Sequence, residues 1–516
     1  MNPVLPRVTY SNIGADFAPL HAWLDSEIPA FETTGLGRSW QTFFASEPLQ
    51  PQFSPIDGSL LLGQFPGSSA DDVDRAVDAS RAGARQWNQA SLDERLDFAW
   101  RWQQELEAAK YPLALAALYE VGKSRLESVG EAEEAVDMVA YYRSELQANK
   151  GFVRPMQQMI EHETATSVLR PYGVFAVIAP FNFPLALAVG MMSGALLSGN
   201  AVVFKPAPQS ALTGLMLAET LARAGLPKGV FNLVLGGDAV GEQLSTHAGI
   251  DGVAFTGSHA VGMRILRHMA GLPWMKPVIA EMGGKNPSYV TRHADIERAA
   301  QGVARSAFGL QGQKCSAGSV VYVDRAVRDE FVAALLDFSN GLAVGDVRRA
   351  ETYMGPVYNE AAMQRFARSV ELGRASGQLL MGGGRVDAGL QGHYVQPTLI
   401  ELPAPGPLTR DELFLPLLAL RTVDGLDAAL AEGNDVAYGL TAGIYTRNEA
   451  ELQQFLGQAQ AGVLYANRAS GATTGAWPGG QPFCGWKGTG VGGKGGLGAY
   501  YLPQFMREQS RTVMTV

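Results

Sequence analysis

The chain has 516 residues, 47% of them hydrophobic and 18% charged, which excludes a disordered chain and leaves room for two or three domains. Its 41 Lys and Arg against 50 Asp and Glu leave a net charge of −9, the wrong sign for a nucleic-acid or anionic-membrane binder. Two cysteines exclude a disulfide scaffold and a Cys-based zinc cluster, and no metal site is expected.

In chain order, residues 1–50 read as an irregular, aromatic arm. They hold no basic start followed by an apolar run, so no secretion signal is expected and a cytoplasmic, reducing location is. Small polar residues and then acids at 68–72 start a helix that runs to Trp87. A second helix fits 92–121. A third fits 127–146, where Ala135, Met138, Val139 and Tyr142 fall on one face. Residues 151–170 alternate β-branched and polar side chains, which predicts exposed strands in a hairpin flap.

No charged residue occurs over 173–204, a length that can span a bilayer. Pro180, Asn182, Pro184, Gly190, Gly194, Gly199 and Asn200 interrupt it, and the segment reads instead as strand 174–179, loop 180–184, buried helix 185–198 and strand 201–204. Strands apolar throughout belong in a parallel sheet, so no membrane contact is expected. Helix 210–224, strand 231–235, a helix from 238, strand 253–255, a helix from 258 and strand 278–280 continue the alternation of an α/β sheet. After Gly283 and Gly284 a second α/β run begins, with helices over 295–308, 326–340 and 359–376 and a strand over 320–323. The tail, 491–516, is too short to fold alone and must pack on another element or subunit.

Four segments carry chemistry. Cys315 lies in Gly312-Gln313-Lys314-Cys315-Ser316-Ala317. A thiol in a polar loop beside a lysine has the setting of a low-pKa nucleophile, the alternative being a buried structural cysteine. Glu281 ends the apolar strand Val278-Ile279-Ala280, where burial raises a carboxyl pKa and suits a general base; a salt bridge to Lys285 is the alternative. In Phe255-Thr256-Gly257-Ser258 a strand turns into a helix whose N-terminus can meet a pyrophosphate or be merely capped. Asn182, in Pro180-Phe181-Asn182-Phe183-Pro184, can donate to an oxyanion or stabilise a turn. A cysteine hydrolase would need a histidine beside the thiol, and none of the seven lies in these motifs.

These motifs, together with Lys205-Pro206 and Asp411-Glu412-Leu413-Phe414, follow an order and separation that resemble the aldehyde dehydrogenase superfamily from about residue 50 onward. The resemblance implies an α/β protein with a Rossmann-type cofactor domain (1–147 and 170–281), an α/β catalytic domain (282–474), and a small β oligomerisation element (148–169 and 491–516). It implies a homo-oligomer that takes a small aldehyde. Cys315 would attack the aldehyde, Asn182 would hold the oxyanion, and Glu281 would activate water against the thioester. Lys205 would meet the adenosine ribose, Ser258 the pyrophosphate and Glu412 with Phe414 the nicotinamide ribose, with Gly257 and Pro180 also binding the cofactor. Pro208 stands where the family often has an acid, so NAD is expected with NADP tolerated.

Gln311-Gly312-Gln313-Lys314-Cys315-Ser316-Ala317 and Thr474-Gly475-Ala476 resemble the 1-pyrroline-5-carboxylate dehydrogenase branch of that superfamily. There Ser316, Gly475 and Ala476 would anchor a substrate carboxylate, Phe483 would pack on its stem, and Glu134 would face its ammonium group. Another semialdehyde, or an aliphatic or aromatic aldehyde, is the alternative. Leu415 and Cys484 replace expected glycines, and Trp477 and Trp486 would add bulk near the tunnel. The implied placing of Cys484 near Cys315 raises a redox disulfide between them.

Overall fold

The computed structural model describes residues 5–12, 15–469 and 476–514. Strands Val174–Ile178, Ala201–Lys205, Phe231–Leu233, Gly252–Gly257 and Val278–Met282 form one wholly parallel sheet. In space they run fifth, fourth, first, second, third. The first two are buried at every position, as a parallel sheet covered on both faces requires. Strand order reverses between the first and the fourth, and the crevice beyond the carboxyl ends at such a reversal takes ligands. Pro180, Phe181 and Asn182 follow the first strand; Gly257 ends the fourth.

The charge-free stretch is a strand, a loop, the helix Ala186–Leu197 and a strand. Twelve residues cannot cross a bilayer, and among the described residues no helix is long and apolar enough to do so.

A second sheet has seven strands, in the order Gln378–Met381, Thr398–Glu401, Leu417–Val423, Gly318–Asp324, Asn286–Val290, Thr441–Tyr445, Val463–Ala466. Only the first pair is antiparallel. The strand Asn286–Val290 escapes the sequence pattern because Pro287 lacks a ladder donor. The register shifts at that residue and the strand still pairs on both sides.

Helices Leu92–Val121 and Arg125–Ala148 pack together beside the first sheet. Gly122, at φ +75°, ends the former in a left-handed cap. The face of the latter is unusual: Glu127, Glu131, Glu133 and Glu134 are all buried, which is tolerable only where each carboxyl finds a partner. Glu127 bonds Lys314 and Glu131 bonds Lys123. Glu133 meets Arg7 at 3.0 Å and Lys110 at 2.9 Å, and Glu134 accepts from the Tyr10 hydroxyl at 2.7 Å.

The first fifty residues correct the expectation of an irregular arm. They include the helix Ala18–Thr34, which buries Leu20, Leu24 and Ile28 at four-residue spacing. Pro29 inside it hides the helix from a propensity reading. The tail strand Met506–Met514 pairs antiparallel with Glu163–Pro171 over nine residues, and Val153–Pro155 flanks the other side. These strands are mostly exposed.

Candidate active site

Cys315 sits in a loop that the chain holds from several sides. Leu310 and Gln311 both have positive φ, +48° and +57°, a conformation that persists only where neighbours over-determine it. The Gln311 amide donates to the carbonyls of Gly122 (2.9 Å) and Pro356 (2.8 Å). Glu127 accepts from the Leu310 N–H at 3.2 Å and from Lys314 Nζ at 2.6 Å. Asn286 donates to the carbonyls of Cys315 (2.7 Å) and Ala317 (2.8 Å). Asn182 donates to the Gln313 carbonyl at 2.8 Å, which leaves its second amide proton for another acceptor.

The low-pKa reading of the thiol is overturned. Lys314 turns away to Glu127, so its charge does not face the sulfur. Burial, with Glu412 and Glu281 adding negative charge, pushes the Cys315 thiol up to about 12, against the pull of the Cys315 and Ser316 backbone N–H groups. The two cysteines are both free, and the Cys484 thiol donates to the Gly462 carbonyl at 3.3 Å; no disulfide joins them.

Glu281 is not paired with Lys285. Its Oε2 is buried without a hydrogen-bond partner, and so is Lys285 Nζ. Burial raises Glu281 to about 8, with the Gly485 N–H offsetting part of the effect, and a carboxyl at that value is a competent base near neutrality.

Two cavities meet at Cys315. The larger, about 640 Å³, lies at the strand reversal of the first sheet. Pro180, Asn182, Lys205, Gly257, Ser258, Glu412 and Phe414 all line it, although they come from distant parts of the chain. Ser258 caps the helix His259–Ala270 by accepting from the Val261 N–H, so capping and placement at a ligand cleft hold together. Lys205 is buried and donates to the Pro206 carbonyl at 3.1 Å; burial lowers it to about 8 against the pull of Asp238. Glu412 accepts from the Gly284 N–H at 2.8 Å and stands so close to Gly283 that a Cβ there would lie 2.5 Å from its Oε2. The exposed Pro208 also lines this cleft.

The smaller cavity, about 120 Å³, opens behind the thiol. Ser316, Ala476, Phe483, Glu134 and Glu281 share its walls with Cys315. Gly475 lies outside the described residues. Trp477 and Trp486 line neither cavity: the Trp477 indole donates to Asp137 at 2.7 Å, and Trp486 is 47% exposed. Sequence reasoning missed the supports Glu127, Asn286 and Gln311, and it missed Tyr10, which lines the smaller cavity from the N-terminal arm. Asn286 carried a visible signal, an amide directly after Gly283-Gly284-Lys285; Glu127 and Tyr10 carried none.

The model of the aldehyde dehydrogenase family matches residues 44–510, and the chain belongs to that family. The 1-pyrroline-5-carboxylate dehydrogenase of Geobacillus thermodenitrificans (strain NG80-2) is 33% identical over 489 residues, covering 93% of each chain. The alpha-ketoglutaric semialdehyde dehydrogenase of Bacillus subtilis (strain 168) is 35% identical over 422 residues, covering 81% of this chain and 86% of that one. A solved 1-pyrroline-5-carboxylate dehydrogenase from Thermus, with bound NAD, superposes over 100% of both chains with a TM-score of 0.93 at 28% identity. The α/β fold and the dehydrogenase class expected from the motifs hold.

A thiol held protonated has a measurable signature. In the ligand-free protein, alkylation of Cys315 by iodoacetamide, followed by peptide mass mapping to separate it from Cys484, rises with pH and reaches no plateau below about pH 10. A plateau near neutrality would mean a thiolate already formed.

Proposed function

We propose that this aldehyde dehydrogenase oxidises L-glutamate γ-semialdehyde, the open form of 1-pyrroline-5-carboxylate, to glutamate, with NAD as the preferred acceptor and NADP tolerated. The observation that carries the substrate is the chemistry of the smaller cavity. One buried acid, Glu134, and the donors at Ser316 and Ala476 share walls with the thiol, a set suited to an ammonium and a carboxylate on one short stem. The names of the relatives support the same reading. The Bacillus subtilis relative favours a keto acid semialdehyde as the second reading, against which stands a buried acid with no ammonium to meet.

The larger cavity fits NAD: Lys205 would meet its adenosine ribose, Ser258 its pyrophosphate, and Glu412 with Phe414 its nicotinamide ribose. Asp238 beside Lys205 favours a ribose with free hydroxyls over a 2′-phosphate, while Pro208 neither bonds nor repels one. When bound, NAD supplies a hydride acceptor. As the Cys315 thiol gives up its proton to water, its sulfur adds to the aldehyde carbon, and the resulting oxyanion accepts from the Asn182 amide and the Cys315 N–H. Loss of hydride leaves a thioester on Cys315. Glu281 removes a proton from the attacking water, the C–S bond breaks, and the carboxylate product and the thiol are released. The strand Met506–Met514 carries the exposed Val513, and the exposed Met159 and Ile160 lie in the loop that leads into its partner Glu163–Pro171, a surface suited to a second copy of the chain. A reducing, cytoplasmic compartment suits both free thiols.

A panel of aldehydes tests the substrate. Glutamate γ-semialdehyde gives the highest kcat/KM, above succinate semialdehyde, α-ketoglutarate semialdehyde and benzaldehyde, and NAD outperforms NADP at equal concentration. Cys315→Ser lowers the rate at least about 1,000-fold. A higher kcat/KM for a keto acid or aromatic aldehyde overturns the substrate assignment.

The pH profile follows from Glu281. Below about 8 its carboxyl is protonated and cannot accept a proton, so kcat falls as pH drops through that value wherever hydrolysis limits turnover. In Glu281→Gln this limb is absent and the residual rate is flat there.

A further inference from the structure

We propose that Tyr10, carried by the N-terminal arm, is a specificity-determining residue that holds the Glu134 carboxyl in the wall of the aldehyde cavity for the ammonium group of an amino-aldehyde. This deepens the substrate reading above and rests on it.

The arm reaches the cavity across more than a hundred residues of chain. Tyr10 lines the cavity and is buried, and its hydroxyl donates to Glu134 Oε2 at 2.7 Å. Its ring meets the Trp477 ring edge-on at 5.5 Å. The arm is fastened on the same helix: Arg7 bonds Glu133 at 3.0 Å and Asp137 at 2.6 Å. Asp137 also accepts from the Trp477 indole at 2.7 Å. One helix thus ties the arm to the segment that carries Ala476 and Phe483. Val8, beside them in the arm, is fully buried, so this contact is packed rather than laid on the surface.

The chemistry gives Tyr10 a task beyond packing. A carboxyl buried in a largely apolar cavity has two ways to be satisfied: it can stay protonated, or it can ionise against a cation and donors. Towards an ionised carboxylate the tyrosine hydroxyl can only donate, because a carboxylate has no proton to give back. That bond fixes the rotamer of Glu134, leaving its other oxygen for the substrate. An arriving ammonium group then completes the pair that desolvation otherwise opposes. An aldehyde of the same length without the amine gains nothing from the arrangement.

The test compares Tyr10→Phe with the wild type on two substrates, glutamate γ-semialdehyde and glutarate semialdehyde, which lacks the amine. The substitution keeps the ring and its contact with Trp477 and removes only the hydroxyl. We expect kcat/KM for the amino-aldehyde to fall about tenfold, mostly through KM, with kcat and the values for glutarate semialdehyde within twofold of wild type. In the background of Glu134→Gln the same substitution adds less than twofold. Equal losses on both substrates, no loss on either, or a fall confined to kcat would each overturn the role of Tyr10. Those results leave the substrate reading intact. Failure of the substrate reading shows itself separately, in a wild-type enzyme that does not prefer the amino-aldehyde.

Discussion

Four carboxyl groups buried on one helix, Arg125–Ala148, are the constraint to which the rest of the site answers. A buried carboxyl without a partner costs several kcal/mol in a protein interior, so each of the four fixes something else in place. Glu127 fixes Lys314 and the Leu310 N–H, and with them the left-handed turn before Cys315. Glu131 takes Lys123 on one side and accepts from the N–H groups of Leu185 (2.8 Å) and Ala186 (3.1 Å) on the other. Those two residues open the helix that follows the Asn182 loop. Glu133 holds the arm, and Glu134 stands in the cavity wall.

Glu127, Glu131 and Glu134 recur at four and then three residues, the spacing of one helical face. The Cys315 loop, the Asn182 loop and the wall of the smaller cavity are therefore registered against a single rigid rod. The Lys123 ammonium also lies 3.6 Å from the centre of the Phe183 ring, which ties the Asn182 loop to the same charge. Catalysis of this kind needs its donors fixed to within fractions of an ångström, and an interior network of ion pairs supplies that rigidity where an apolar core would allow repacking.

Much of this architecture is legible in the amino acids. The parallel strands announce themselves as short apolar runs, and the helix Ala70–Trp87 through small polar residues followed by acids. Cys315, Glu281, Asn182, Lys205, Ser258, Glu412 and Phe414 are separated by up to 232 positions in the chain yet border one pair of connected cavities: Asn182, Lys205, Ser258 and Glu281 sit at the ends of parallel strands or just beyond them, and Cys315, Glu412 and Phe414 in loops that lead into strands. The electrostatics were not legible. Lys314 beside Cys315 suggests an activated thiol, but neighbours in sequence alternate direction, and the lysine points to Glu127 instead. Glu281 and Lys285 look like a pair and are separated by a tight turn that buries both apart. The acids of the helix look like its solvent face, since their side-chain partners come from residues 7, 10, 110, 123 and 314, which no periodicity connects. The N-terminal helix was hidden by one proline, and the strand at 286–290 by another.

The thiol's high pKa in the resting protein is consistent with this design. A sulfur kept protonated is protected from oxidation, and its ionisation waits on ligands that bring positive charge or hydrogen-bond donors. The central claim is that Cys315 becomes acylated. It is tested by mixing Glu281→Gln with NAD and glutamate γ-semialdehyde, quenching in acid within one turnover, and measuring the mass of the peptide that contains Cys315. The account predicts a glutamyl adduct on that peptide in an amount matching the reduced cofactor; reduced cofactor formed with that peptide unmodified would contradict it.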